Sequence, residues 1–225
     1  SRSLAPILNL TKKPAKQVNV TGVKNLIKAA NNQGVHLMQL STDFVFSGKN
    51  GPYAEDDLPD PPNFYGRTKL EAEKLVQENS KTWSIIRTVL VYGYASAMDR
   101  SNIVLLVKNK LEAGQSLRIV NDQFRTPTLA EDLALGCRLI IKNKQQGIYH
   151  ISGDEMYSIY EIARETARFF NLNDSLLSPV STKALNEKYK RPLKTGFILD
   201  KAKQRLNYQP KTLRQGLEIL KKQLT

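Results

Sequence analysis

From Ala15 onward apolar residues recur at three- and four-residue steps: Val18, Val20, Val23, Leu26, Ile27 and Ala30. That period predicts an amphipathic helix, which Asn32 and Gly34 end. Val35 to Leu40 then reads as a buried strand. Ser47 to Asn63 carries four prolines among glycines and serines and reads as a loop. Asn63 is placed to cap a helix bearing Tyr65, Leu70, Ala72, Leu75 and Val76. Trp83 to Val91 (WSIIRTVLV) predicts a second buried strand, ending at Tyr92-Gly93.

Downstream, Ser101 starts a helix to about Leu111, and Leu117 to Val120 forms a short strand. Thr128 opens a helix that holds Asp132 and Cys137. Ile148 to Ile151 is a strand, and Ser158 caps a helix from Ile159 to Phe170. Thr195 to Leu199 reads as a short strand. Two helices close the chain, one around Lys201 and one from Leu213 to Leu220. The apolar start (LAPILNL) is punctuated by Pro14 and gives no clear element, and Ser1-Arg2-Ser3 reads as a foreign leader. No repeat or low-complexity segment interrupts the chain.

Helices alternating with continuously apolar strands predict an α/β fold, a Rossmann-like doubly wound parallel sheet with both faces covered. After Val91 the alternation loosens, so residues 1–100 are expected to form a partial dinucleotide-binding domain. Residues 101–225 are expected to form mainly a smaller α/β substrate region, with segments returning to the core.

The 225 residues are 40% hydrophobic and 24% charged, which suits a chain with a real core and excludes disorder. One cysteine, Cys137, rules out an internal disulfide and points to a reducing, cytoplasmic compartment. No run reaches the length of a membrane span. The formal charge of +13 favours polyanionic ligands. The lysines are dispersed on helical faces, which reads as solvated surface rather than a nucleic-acid patch. No cysteine and histidine spacing supports a metal. His36 and His150 read as packed core residues, and the acidic loop of Glu55, Asp56, Asp57 and Asp60 reads as a solvated turn.

The chemistry concentrates between Leu40 and Leu75. Tyr65 and Lys69 stand four apart, on one face of a helix. An ammonium beside a tyrosine favours phenolate and brings it toward general acid–base work near neutral pH. Ser41 or Thr42, at the end of the preceding apolar run, would hydrogen-bond the same substrate oxygen. That position is the carboxyl edge of the sheet, where α/β proteins bind ligands. The pair alone is weak evidence, and its context carries the weight.

The ordered blocks STDFVFSG, GPYAEDD, NFYGRTKLEAEKL, RTVLVYG, SNIVLLVKNKLEAGQSLRIVNDQFRTPTLAEDLA, GIYHISG and a late Arg191-Pro192 resemble the extended short-chain dehydrogenase/reductases. Within that superfamily they resemble the dTDP-4-dehydrorhamnose reductases, from about Val18 to the C-terminus. The resemblance implies NADPH or NADH as cofactor, a nucleotide-linked 4-keto-6-deoxy sugar as substrate, and a catalytic set of Thr42, Tyr65 and Lys69. Tyr65 would donate the proton. Lys69 would lower its pKa and hold the nicotinamide ribose, and Thr42 would bind the carbonyl oxygen. Asn19 matches an asparagine that supports the lysine, and Ser41 and Val91 join it, Tyr65 and Lys69 on the cofactor side. Phe44 would flank the sugar, with Asn102, Arg125 and Arg191 toward the nucleotide. A homodimer is compatible with the sequence, which does not specify one.

Three departures stand out. The Gly-rich phosphate turn is absent from the 225 residues, and Gly22, Gly34, Gly48 and Gly51 do not supply it. About two βα units, roughly 60 residues, would be needed for it, so the chain reads as incomplete. Leu90 stands where such reductases often carry tryptophan, and Arg125 replaces a common glycine. The rival expectations are a non-catalytic regulatory subunit of the same fold, as in methionine adenosyltransferase, and a sister epimerase or dehydratase. Asp43 sits where dehydratases place an acid.

Overall fold

The computed structural model describes residues 12–95, 101–185 and 190–224, so the expectation for the apolar start lies outside the described residues. The elements in chain order are α1 (Lys12–Lys16), a π-helical turn (Gln17–Thr21), α2 (Gly22–Gln33), β1 (Leu37–Thr42), a 3-10 turn (Asp43–Val45) and α3 (Phe64–Asn79). Next come β2 (Trp83–Thr88), β3 (Val91–Tyr92), α4 (Ile103–Glu112), β4 (Leu117–Val120), β5 (Phe124–Arg125), β6 (Thr128–Leu129) and α5 (Ala130–Lys142). The chain continues with β7 (Gly147–His150), β8 (Tyr157–Ser158), α6 (Ile159–Phe169), β9 (Leu177–Val180), α7 (Asp200–Leu206) and α8 (Leu213–Leu224).

The central sheet has the order β1-β2-β7, parallel throughout. Its middle strand decides the layers. Ile85 packs with Val23, Ile27, Ala72 and Val76 from α2 and α3. Ile86, pointing the other way, packs with Ile140, Ala202 and Leu206 from α5 and α7. Both isoleucines are fully buried, so helices cover both faces, as the apolar run of β2 requires. A second core lies beside this sheet. There α4, α6 and α8 enclose Val107, Ile162 and Leu217 against Ile119 of β4. β4 pairs in parallel with β9, a strand the sequence pattern did not single out.

The helix ends follow local chemistry. Gly34 closes α2 with φ +65°, a conformation glycine adopts without Cβ strain. Ser158 and Glu161 form a reciprocal capping box at α6. The Asn63 side chain accepts from Gly66 N at 2.9 Å, capping α3 as expected.

Several expectations need correction. The first helix is interrupted by the π-helical turn, and Val18 and Leu26 are exposed. Val35 and Leu40 are also exposed, because β1 pairs only with β2 among the described residues. The Trp83–Val91 strand breaks where Leu90 turns to φ +40°, and Val91 starts a separate pairing with Thr128. Thr128 therefore belongs to a strand, and α5 begins at Ala130. Thr195 to Leu199 is an extended strap, bridged to Tyr53 at Phe197. His36 is exposed and hydrogen-bonds Ser84 Oγ at 2.9 Å. His150 is buried and stacked on Phe197, as a core histidine should be. Glu55 is half-buried, and its Oε1 accepts from the backbone N–H of His150, so it is more than a solvated turn.

Candidate functional site

The site begins where β1 ends. The Thr42 hydroxyl oxygen accepts from Phe44 N at 3.3 Å and starts the 3-10 turn. Its proton goes to Asp43 Oδ1 at 3.0 Å. Asp43 is buried, and its other oxygen accepts the Thr195 hydroxyl and faces Arg125 Nε at 3.6 Å. Burial pushes the Asp43 carboxyl up, against the pull of the Arg125 guanidinium.

α3 is pressed onto this turn. A Cβ on Gly66 would lie 2.1 Å from the Phe44 carbonyl oxygen, so only glycine allows the helix this close. The approach brings the Tyr65 ring to 6.0 Å from Phe44, edge to face. The Thr42 hydroxyl faces the Tyr65 phenol closely enough to influence its ionisation. Burial, and then the Asp43 carboxylate, push the Tyr65 pKa up to about 12. One turn on, Lys69 Nζ donates to the Leu40 carbonyl at 2.7 Å. Burial lowers the Lys69 pKa and Glu73 raises it again. The Lys69 ammonium is turned toward β1, and the phenol answers chiefly to burial and to Asp43. Tyr65 is a neutral phenol at pH 7, able to donate a proton.

Behind the helix, Glu73 receives Arg87 side-on, with Nη2 to Oε2 at 2.8 Å and both residues buried. Arg87 also reaches the Glu55 carbonyl and lies over the Phe46 ring. On the opposite flank Asn19, in the π-helical turn, donates to Thr68 Oγ1 at 3.1 Å, and Thr68 donates to the Tyr65 carbonyl at 2.8 Å. Asn19 therefore steadies the Tyr65 turn through Thr68. Single π-helical turns gather at functional sites. Ser41 Oγ is buried and has no hydrogen-bond partner.

The remaining candidates are distributed differently. Arg125 has five N–H donors to satisfy. Nη1 donates to the carbonyls of Phe124 and Leu193, Nη2 to Pro192 O and Gln123 Oε1, and Nε faces Asp43. This guanidinium has no donor left for a phosphate, and it packs over the Phe44 ring at 5.8 Å. Arg191 is half-buried and close enough to disfavour the charge on Arg125. Asn102 caps α4 by accepting from Leu105 N and donates to the Gly93 carbonyl at 2.7 Å, just past the exposed Val91. Thr42, Phe44, Tyr65 and Lys69 thus gather at one sheet edge, with Asn19 behind them. Val91 and Asn102 flank a neighbouring turn.

Sequence reasoning gave Asp43 only a rival's role and passed over Thr195 and Thr68. Asp43 had a signal, a carboxylate beside a strand-end threonine. Thr195, 152 residues away from it, had none. Among the described residues no group of acidic, histidine and cysteine side chains could hold a metal ion, and no helix is long and apolar enough to cross a membrane.

Comparison with known proteins fits this geometry. Methionine adenosyltransferase 2 subunit beta of Bos taurus is 36% identical over 172 residues, covering 74% of this chain and 52% of that protein. The spore coat polysaccharide biosynthesis protein SpsK of Bacillus subtilis is 38% identical over 162 residues, covering 71% and 54%. The chain spans about half the length of these curated relatives. A dTDP-4-dehydrorhamnose reductase from Bacillus anthracis, solved in complex with NADP, superposes with a TM-score of 0.87 at 27% identity, covering 94% of this chain and 74% of that one. One from Clostridium acetobutylicum gives 0.86 at 30%, covering 95% and 74%. The family model described as the RmlD substrate binding domain matches residues 9–225, and the chain belongs to that family, with the dTDP-4-dehydrorhamnose reductase-like proteins of the short-chain dehydrogenase/reductase superfamily.

Proposed function

We propose that this chain is the catalytic part of an NAD(P)H-dependent reductase acting on a nucleotide-linked 4-keto-6-deoxy sugar, of the kind leading to dTDP-L-rhamnose. The observation that carries this reading is Tyr65 and Lys69 one turn apart on α3, which is pressed onto the turn that follows Thr42. The residues present fit the nicotinamide end of a dinucleotide. Ser41 offers a buried hydroxyl with no hydrogen-bond partner at the sheet edge, and Lys69 reaches the carbonyl of the residue before it. When bound, the cofactor supplies the hydride.

Tyr65 then donates its proton to the sugar carbonyl oxygen. Phe44 offers an aromatic face to the sugar, braced by Arg125 behind it. Arg191, beside Arg125, is the candidate for the nucleotide phosphates, a guanidinium offering them a bidentate fork. Residues 1–100 would serve the cofactor and 101–225 mainly the sugar nucleotide.

A second reading, a regulatory subunit of the same fold, is supported by the relatives named subunit beta and by the Lys69 ammonium resting on Leu40. The sister dehydratase reading has less support. The Asp43 carboxylate already serves Thr42, Thr195 and Arg125.

Calorimetric titration of the chain with NADPH and NADH, followed by NADPH turnover with a dTDP-linked 4-keto-6-deoxy sugar, separates the readings. Micromolar binding with turnover supports the reductase. Binding without turnover supports the regulatory subunit. No binding to folded protein removes the cofactor-dependent reading of these 225 residues.

A further inference from the structure

Beside Thr42 stands a second strand-end hydroxyl, which the reaction outlined above does not use. Thr88 ends β2 and is the in-register partner of Thr42 in the parallel ladder. Residues in register on neighbouring strands share a face, so both threonines leave the same side of the sheet at its carboxyl edge. Two residues earlier on that face Ile86 is fully buried, whereas Thr88 is half-buried, where the core gives way to the edge.

The hydrogen bonding of Thr88 runs in one direction. The ladder between β2 and β7 ends with Ile151 N donating to the Arg87 carbonyl at 3.0 Å. Beyond Thr88 the chain turns away at the left-handed Leu90. The carbonyl of the buried Val89 takes the Thr128 hydroxyl proton instead of a ladder N–H, at 2.6 Å. A carbonyl only accepts, so the single proton of Thr128 is committed there. In the Thr88–Thr128 pair, at 3.3 Å, Thr88 is therefore the donor. Its own single proton is spent, and its oxygen keeps only the capacity to accept. Such an oxygen repels a phosphate or carbonyl oxygen and suits an N–H or O–H group. The carbonyls around it already receive donors: Leu40 takes Lys69, Arg87 takes Ile151 and Leu90 takes the Thr128 N–H.

We propose that Thr88 is a cofactor-binding residue whose oxygen accepts an N–H of the nicotinamide carboxamide. The sugar's expected contacts, Phe44 and Tyr65, belong to the turn after β1 and to α3, whereas Thr88 ends the middle strand of the sheet. A dinucleotide lies across the carboxyl ends of such strands. The carboxamide carries a donor end and an acceptor end, and only its nitrogen end is compatible with Thr88. The bond thereby selects which way the amide points.

This inference rests on the NAD(P)H reading above, and its test reads binding rather than turnover. The probes are the reduced cofactor that binds more tightly, NADH or NADPH, and its 3-acetylpyridine counterpart, in which a methyl group replaces the amide nitrogen. Calorimetry gives both affinities for the wild-type chain, for Thr88→Val and for Thr88→Ser. Thr88→Val is expected to weaken the cofactor roughly five- to tenfold, what one hydrogen bond contributes, and to leave the acetylpyridine counterpart unchanged. Thr88→Ser, which keeps the oxygen, is expected to keep the wild-type discrimination. Equal weakening of both probes in Thr88→Val would assign Thr88 a packing role and overturn the proposal, as would affinities that do not move. Failure of folded wild-type protein to bind either probe removes the cofactor reading itself, and this inference with it.

Discussion

Each residue of the candidate site answers to its immediate surroundings. Tyr65 is held as a phenol by burial and a neighbouring carboxylate, so removing its hydroxyl should remove turnover without harming the fold. Tyr65→Phe is expected to cut kcat at least 100-fold, the lower end of what a positioned general acid contributes, with an unchanged melting temperature. Near-normal turnover in that variant sinks the assignment. His150 supplies a pH signature. Burial, and then the Arg87 charge, lower its pKa well below 6.5. The unfolded chain therefore takes up a proton that the folded chain refuses, and stability is lost as pH falls through about 6.5 toward the folded value. Melting curves between pH 7.5 and 5 (roughly the window set by an ordinary histidine) should show this decline, weakened in His150→Phe. An equal decline in the variant would assign it elsewhere. The Asn63 cap was legible because its partner Gly66 N lies three residues on, and the Tyr65–Lys69 pair because it shares one helix face. The engagement of Arg125 was not, since its acceptors at 192 and 193 lie far along the chain.

At the scale of elements, α3 is fixed at three points. Gly66 meets the 3-10 turn, Thr68 meets the π-helical turn, and Glu73 meets Arg87 on β2. Breaking the last of these leaves Arg87 charged and buried, a loss of about 3–5 kcal/mol. Glu73→Ala should show it as a lower urea midpoint, while Glu73→Met with Arg87→Met should recover most of the loss. Equal midpoints for the single variant and wild type would mean Arg87 finds compensation in Glu55 or solvent. Asn19→Ala, by contrast, removes one partly buried hydrogen bond and should cost only about 1 kcal/mol. Element identities followed from apolar periodicity wherever the stretch was long. The break at Leu90 escaped because a single left-handed residue leaves no period to read, and β9 because Pro179 inside it reads as a breaker.

For the whole molecule, the parallel sheet with helices on both faces was readable from the alternation of elements, and the comparisons agree with it. How the later half returns to the earlier one was not readable. The strap through residues 192–198 runs along the loop after β1, where Tyr53 N donates to the Gly196 carbonyl and Ile198 N to the Tyr53 carbonyl. It also delivers Thr195 to Asp43. A carboxylate placed near the start of the chain thus acquires its full set of partners only after β5 and this strap have docked. During synthesis on the ribosome, the first half would emerge with an aspartate that has no reason yet to leave water. Shortened chains ending before residue 192 should accordingly hold Thr42 and Tyr65 loosely even where α3 and β2 have formed, and slowed hydrogen exchange at Phe44 N would date the moment the reactive corner becomes rigid.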